Sequence, residues 1–165
     1  MNKNRIYVLN KEEKLEKFKE ILKEFSDSNN LILIKDNING EFKDLVENNI
    51  NDKVNYNDNT IRNHLILDYE HITLKTKIKA IYIKENYENN NIFRDLEAYI
   101  RDNQSNKRDT KNIKRITVVL NNYNKKSEIL EKIVSVSRSF NINFIFLNEE
   151  VNELSEIILS NLERE

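Results

Sequence analysis

The chain has 165 residues and a net charge of −1, with 38% hydrophobic and 33% charged residues and no cysteine. That length suits one domain with a real core, so residues 1–165 are expected to form a single unit. The near-neutral charge excludes a global electrostatic footprint for nucleic acid or membrane, and the missing cysteines exclude disulfides, thiolate metal sites and cysteine nucleophiles. No run approaches the length of a membrane span and the amino terminus lacks the apolar segment of a signal peptide, so a cytoplasmic setting is expected, as a protein or as a domain of something larger.

The chain opens with a short apolar run, Arg5 to Leu9, that reads as a strand. Asn10 with Glu13 three residues later has the form of a capping box, and Leu15, Phe18, Ile21, Leu22 and Phe25 follow at helical spacing. After a loop at Ser26 to Asn30, Leu31 to Ile34 read as a second strand ending in Asp36. This β-α-β opening implies a parallel pair with a right-handed crossover. Asn37 to Gly40 reads as a turn, and Phe42, Leu45, Val46 and Ile50 support a short helix. Asn51 to Thr60 is polar enough to be loop, and a strand is expected near Ile78 to Ile83. Ile92 to Arg101 form a helix, and Asp102 to Asn112 are charged and polar, the best candidate for disorder.

The stretch Lys114 to Asn148 is the most informative. Ile116, Val118, Val119 and Leu120 make a β-branched apolar run, as a buried parallel strand requires. Asn121, Asn122 and Asn124 stand at its carboxyl end, the edge at which open α/β sheets bind ligands. Ile129, Leu130, Ile133, Val134 and Phe140 share one helix face, Asn141 to Asn143 break it, and Phe144 to Leu147 form another strand. Asn148 then starts a last helix bearing Val151, Leu154, Ile158 and Leu162. Strands alternating with helices from end to end predict an α/β three-layer sandwich with a mainly parallel sheet.

Chemistry-bearing motifs are few. The chain holds one glycine, Gly40, with no Lys-Ser/Thr after it, so a glycine-rich phosphate loop is excluded. His64 and His71 lie close together in NHLILDYEHIT, and the HIT at His71 resembles half of a two-histidine phosphoesterase signature, but no second HxT or HxS exists, His64 does not provide one, and ordinary histidines are the heavier reading. A metal site from His64, Asp68 and His71 has suitable donors without a defined geometry, and no metal is expected. Lys75, Lys77 and Lys79 would share one strand face, as a nucleic-acid strip or, with more weight, as a lysine-protected edge. Arg108, Lys111, Lys114 and Arg115 form a modest basic cluster diluted by nearby acids. Asp36 could bind a ligand at the carboxyl edge or form a turn, and Arg138 could reach a phosphate or a partner's carboxylate. No nucleophile has a credible adjacent base, so no catalytic residue is assigned. The ligand-binding candidates are Asp36, Asn121, Asn122, Arg138 and Asn148.

Val118-Val119-Leu120-Asn121-Asn122-Tyr123-Asn124, followed after a helix by Arg138-Ser139-Phe140-Asn141-Ile142-Asn143-Phe144-Ile145, resembles the Walker B region of FtsK/EssC-type P-loop ATPases. These are DNA-pumping motors and the coupling ATPase modules of type VII secretion. Leu96 to Arg101 resemble the segment before it, and the likeness covers roughly the last seventy residues, with the amino-terminal half matching in layout only. The resemblance implies a P-loop NTPase-like fold. It also exposes two departures. Asn121 stands where the family has its magnesium-organising Asp, and an amide brings no negative charge to a magnesium water shell. Asn10 to Leu15 (NKEEKL) stands where the phosphate loop should be, without a glycine and with Glu12 and Glu13 facing any phosphate. Phosphoryl transfer needs cradle, cation and metal together. The expectation is a degenerate, non-hydrolysing ATPase-like module that acts through a protein partner, with no cofactor and no ATP–magnesium turnover. The alternatives are a nucleotide sensor or small α/β enzyme with its site at the strands' carboxyl ends, and a nucleic-acid-binding accessory protein.

Overall fold

A computed structural model describes residues 3–25, 30–50, 53–55, 80–84, 91–105 and 115–164. In chain order these residues form β1 (Arg5–Val8), α1 (Lys11–Glu24), β2 (Asn30–Asp36), α2 (Lys43–Asn49), β3 (Lys53–Asn55), β4 (Ala80–Lys84), α3 (Asn91–Ser105), β5 (Arg115–Asn121), α4 (Glu128–Val136), a 3-10 turn (Ser137–Phe140), β6 (Ile142–Asn148), α5 (Glu156–Ser160) and β7 (Glu163–Arg164). The seven strands lie in one sheet, in the order β3-β4-β2-β5-β6-β1-β7. Every pairing is parallel. The α/β architecture with helices on both faces is therefore as the alternating pattern predicts.

The central strands β2, β5 and β6 are buried nearly throughout, which is why they read as continuous apolar runs. Their side chains alternate between two cores. Ile32, Ile34, Val119, Ile145 and Leu147 meet Phe18, Ile21 and Leu22 of α1, Phe25 just after it, and Val46 of α2. Leu31, Leu33, Val118, Leu120, Phe144 and Phe146 meet α3, α4 and α5 through Phe93, Leu96, Leu130, Ile133 and Ile158. Connection direction explains the division. The chain runs toward the β3 edge from β1 to β2 and from β2 to β3. It runs toward the β7 edge from β4 to β5, β5 to β6 and β6 to β7. With right-handed crossovers, opposite directions put the connecting helices on opposite faces. The adjacent strands β2 and β5 send their chains to opposite faces, so a crevice opens between their carboxyl ends.

Several boundaries differ from the sequence expectation. Strand β3 lies inside the stretch read as loop, a three-residue strand too short to leave a pattern. Helix α3 runs on to Ser105, into the segment read as disordered. Asn148 does not start a helix: it is the last residue of β6, and the helix begins only after Ser155, whose side chain caps the Ile158 amide. Val151 and Leu154 still reach the core, but from turns, and Leu162 precedes the unforeseen strand β7. His64, Asp68, His71, Lys75, Lys77, Lys79, Arg108, Lys111 and Lys114 lie outside the described residues.

Candidate functional site

The crevice between β2 and β5 is filled by a buried charged network. Its organiser is Lys14, which the helix phase of α1 dictates. The Asn10–Glu13 capping box is present, its side chain accepting from the Glu13 amide at 2.9 Å, and it sets where the helix begins. Lys14 then falls four residues before Phe18 and seven before Ile21, on the apolar stripe, and is 0% exposed. A lysine at a core position needs partners, because an unpaired buried ammonium is costly. Its Nζ donates to Asn121 Oδ1 at 3.0 Å and to Glu41 Oε1 at 3.2 Å, and lies 4.0 Å from Glu149 Oε2.

Asp36 and Asn121 end adjacent strands on the α1 side of the sheet. Asp36 is also 0% exposed, and each of its oxygens accepts twice. Oδ1 takes the Asn37 amide and Asn121 Nδ2, both at 2.8 Å; Oδ2 takes the Phe42 amide at 2.8 Å and the Tyr82 hydroxyl at 2.6 Å. A carboxylate has about four lone-pair sites, so Asp36 is saturated by the protein and has nothing left for a metal or a proton-transfer partner. The sequence candidate is a lock that ties the Asn37–Phe42 turn to the sheet. Stacking of Phe42 on Phe18, 4.1 Å between ring centroids, fastens the same turn to α1. Burial, then the hydrogen bond and charge of Asp36, pushes the Tyr82 phenol well above its ordinary value.

The turn itself delivers Glu41. Gly40 sits at φ +64°, a left-handed geometry that favours glycine, and the chain then places the Glu41 carboxylate over Lys14. Oε1 of Glu41 also accepts from Asn121 Nδ2 at 3.3 Å and from Asn37 Nδ2. Burial pushes the Glu41 carboxyl up, but the charge and hydrogen bond of Lys14, with Asn121 and Asn37, outweigh it and hold the carboxyl below its ordinary value.

The other candidates are divided among different places. Asn122, at φ +55°, turns the chain out of β5, and its side chain pairs with the Glu149 amide and carboxylate at 3.0 Å each. Asn148 ends β6 on the opposite face of the sheet, donating to the carbonyls of Tyr123 and Glu150 at 2.7 and 3.0 Å. Its Oδ1 is buried with no hydrogen-bond partner among the described residues. Asn122 and Asn148 thus zip the loop after β5 to the loop after β6. Arg138 lies in the 3-10 turn before β6, at the amino edge of the sheet. There it lines an open cavity of about 350 Å³ with Ser135, Ser139 and Ser160. A seven-residue strand, on the order of 20 Å, separates it from the network.

Lys14, Asn37, Glu41 and Tyr82 are the members that sequence reasoning missed. Lys14 had a readable signal, a cation at the i−4 and i−7 positions of an apolar stripe. Tyr82 stood in the stretch read as a strand near Ile78 to Ile83, and Glu41 had no signal beyond its glycine. Among the described residues no group of three or more His, Cys, Asp or Glu side chains could hold a metal. The network also does not fit a magnesium nucleotide. Its only lysine is neutralised by internal carboxylates, the Asn121 amide is bonded on both sides, and the NKEEKL turn has no glycine.

No family model matches the chain, and no curated protein matches it. A solved structure similar to it is the genome packaging NTPase B204 from Sulfolobus turreted icosahedral virus 2 in complex with ATP-gammaS. The identity is 8% and the TM-score 0.38, over 82% of this chain and 72% of that one. No helix among the described residues is long and apolar enough to cross a membrane.

Proposed function

We propose that the chain is a non-hydrolysing, P-loop NTPase-like interaction module, resembling a degenerate FtsK/EssC-type domain of a secretion or DNA-translocation motor. It is not an enzyme on this reading, works in the cytoplasm and acts through protein–protein contacts. One observation carries the reading. The buried cation at the sheet's carboxyl edge, the group an incoming phosphate would need, already has its counter-charge from Glu41. Asn121 adds to this by giving its carbonyl to Lys14 and its amide to Asp36, where a metal-organising carboxylate would have to stand.

The test is calorimetric titration with ATP and magnesium beside a phosphate-release assay. No heat of binding and no release are the expected results; turnover above the buffer rate would sink the reading. Asn121→Asp is expected to leave turnover at zero, because the phosphate cradle remains absent. A second reading, a small-ligand site at the strand ends, is favoured by the unpartnered Oδ1 of Asn148, an acceptor that a ligand's donor would satisfy. Loss of ligand-induced thermal shift in Asn148→Ala would separate the two.

A further inference from the structure

Three donors from three separate elements converge on one point at the carboxyl edge. The Lys14 ammonium comes from α1, the Asn121 side-chain amide from the end of β5, and the Asn37 side-chain amide from the turn after β2. All three are aimed at a single oxygen, Oε1 of Glu41. One ammonium and two amide N–H groups around one oxygen is the donor set that recognises an oxyanion, and charge-assisted members of such a set are its strongest bonds. The Glu41 side chain is 10% exposed, against 0% for Lys14, so it lies between the donors and solvent. Glu149, whose side chain is 46% exposed, stands 4.0 Å from the same ammonium on the solvent side. Two of the donors are held independently of Glu41, Asn121 by Asp36 and Lys14 by its place on the buried stripe of α1, while the Asn37 side chain accepts from the Glu41 backbone amide at 3.4 Å.

We infer that Lys14, Asn121 and Asn37 form a compact oxyanion site that the chain fills from within, so that a phosphate-class or carboxylate oxyanion enters by displacing Glu41. This rests on the reading of Lys14 as internally neutralised, and it adds what the neutralised site would accept. Binding of this kind involves no bond-making. One oxygen replaces another on the same donors, and the displaced carboxylate turns to water beside Glu149, where like charge favours its moving further out.

Glu41→Ala removes the internal occupant and leaves the donors. Titration of the full chain with inorganic phosphate, and separately with acetate, is followed through the side-chain amide resonances of Asn121 and Asn37. The variant is expected to bind at least one of the two anions at least tenfold more tightly than wild type. The added substitution Lys14→Met is expected to abolish that gain. Tighter phosphate than acetate identifies a phosphoryl group as the ligand, and equal or tighter acetate identifies a carboxylate such as a partner's acidic side chain. A folded Glu41→Ala protein that binds neither anion above the wild-type level, or that binds as well with Lys14→Met, overturns the inference. Should Glu41→Ala not fold, Glu41→Gln decides. It removes the occupant's charge and keeps its size, and a gain of about threefold supports the site while an unchanged affinity overturns it. ATP turnover by the wild-type chain would remove the interaction-module reading without touching these results.

Discussion

The two ends of the same three strands are built in opposite ways. At their amino ends, β2, β5 and β6 place Asn30, Thr117 and Asn143 on the α1 side, all buried and all neutral. The Thr117 hydroxyl lies 3.2 and 3.1 Å from the side-chain oxygens of Asn30 and Asn143. At the carboxyl ends, on the same side, stand Asp36 and Asn121, joined by Lys14 and Glu41. Between them lies only the apolar layer of Ile32, Ile34, Val119, Ile145 and Leu147. The neutral trio does one thing. It makes a slipped register costly, because a shift by one residue would turn these polar groups into the apolar layer on the other face. The charged cluster does more than register demands, since a hydrophobic filling of similar volume would cost no desolvation. A buried ammonium and two carboxylates at one edge, when the other edge manages with amides and a hydroxyl, are what make the carboxyl edge the candidate site.

The largest expected effect breaks that edge. Asp36→Ala leaves two backbone amides, the Tyr82 hydroxyl and the Asn121 amide without their acceptor, and leaves Lys14 with less negative charge nearby. A loss of about 3–5 kcal/mol is expected, read from urea denaturation. Thr117→Val is the matching cut at the neutral edge. It removes one hydroxyl from two amide oxygens and should cost about 1–2 kcal/mol. Equal losses from the two variants would mean that the charges confer nothing beyond what hydrogen bonds do, and the contrast between the edges would fall.

Titration sharpens the comparison without mutation. The Glu41 carboxyl is held below its ordinary value of 4.5, so its contribution is present above that pH and is lost as pH falls through the lowered value. The Tyr82 phenol is held above its ordinary value of 10.0, so its contribution is complete below that pH and is lost as pH rises beyond it. The neutral trio contributes to neither limb. Urea midpoints measured from pH 3 to 11 (roughly the span of these two ordinary values) should decline at both ends. Glu41→Gln should blunt the acid decline and Tyr82→Phe the alkaline one, while Thr117→Val keeps both slopes. Unchanged slopes in the first two variants would place the titrating groups elsewhere.

Why the strands could be read from the sequence and the charged edge only in part follows from how local the interactions are. Strand-forming runs such as Leu31–Ile34 and Phe144–Leu147 announce themselves because both faces of a central parallel strand are buried. The Asn10–Glu13 box marked a helix start because its spacing is a local chemical requirement. Asp36 and Asn121 were legible as strand ends. Their role was not, because Asp36 depends on four donors drawn from positions up to 85 residues away and Asn121 on a lysine 107 residues away. Glu41 reaches its place through a turn whose outcome rests on one backbone angle, and Lys14 looked like any surface lysine until its phase was compared with Phe18 and Ile21. The last helix was placed too early because the apolar spacing of Val151, Leu154 and Ile158 is helical, although Val151 and Leu154 reach the core from turns and only Ile158 from the helix. Strands β3 and β7, of three and two residues, carry no periodicity to read.

The smallest predicted effect tests that backbone angle. Gly40 is at φ +64°, and a Cβ added there would meet the Tyr82 hydroxyl at 3.5 Å, an ordinary contact. Space is therefore available, and the cost of Gly40→Ala is the left-handed conformation itself, about 1 kcal/mol. For a chain of this size that is about 2–4 °C in Tm. Asparagine tolerates this conformation better than alanine, as Asn122 and Asn141 do at φ +55° and +59°. Gly40→Asn should therefore lose less than Gly40→Ala, although its side chain is larger. The reverse order would mean that contact with Tyr82 and Lys84, and not the dihedral, limits the position. The turn would then be set by packing at the charged edge, and Glu41 would reach Lys14 by that packing with no help from the glycine.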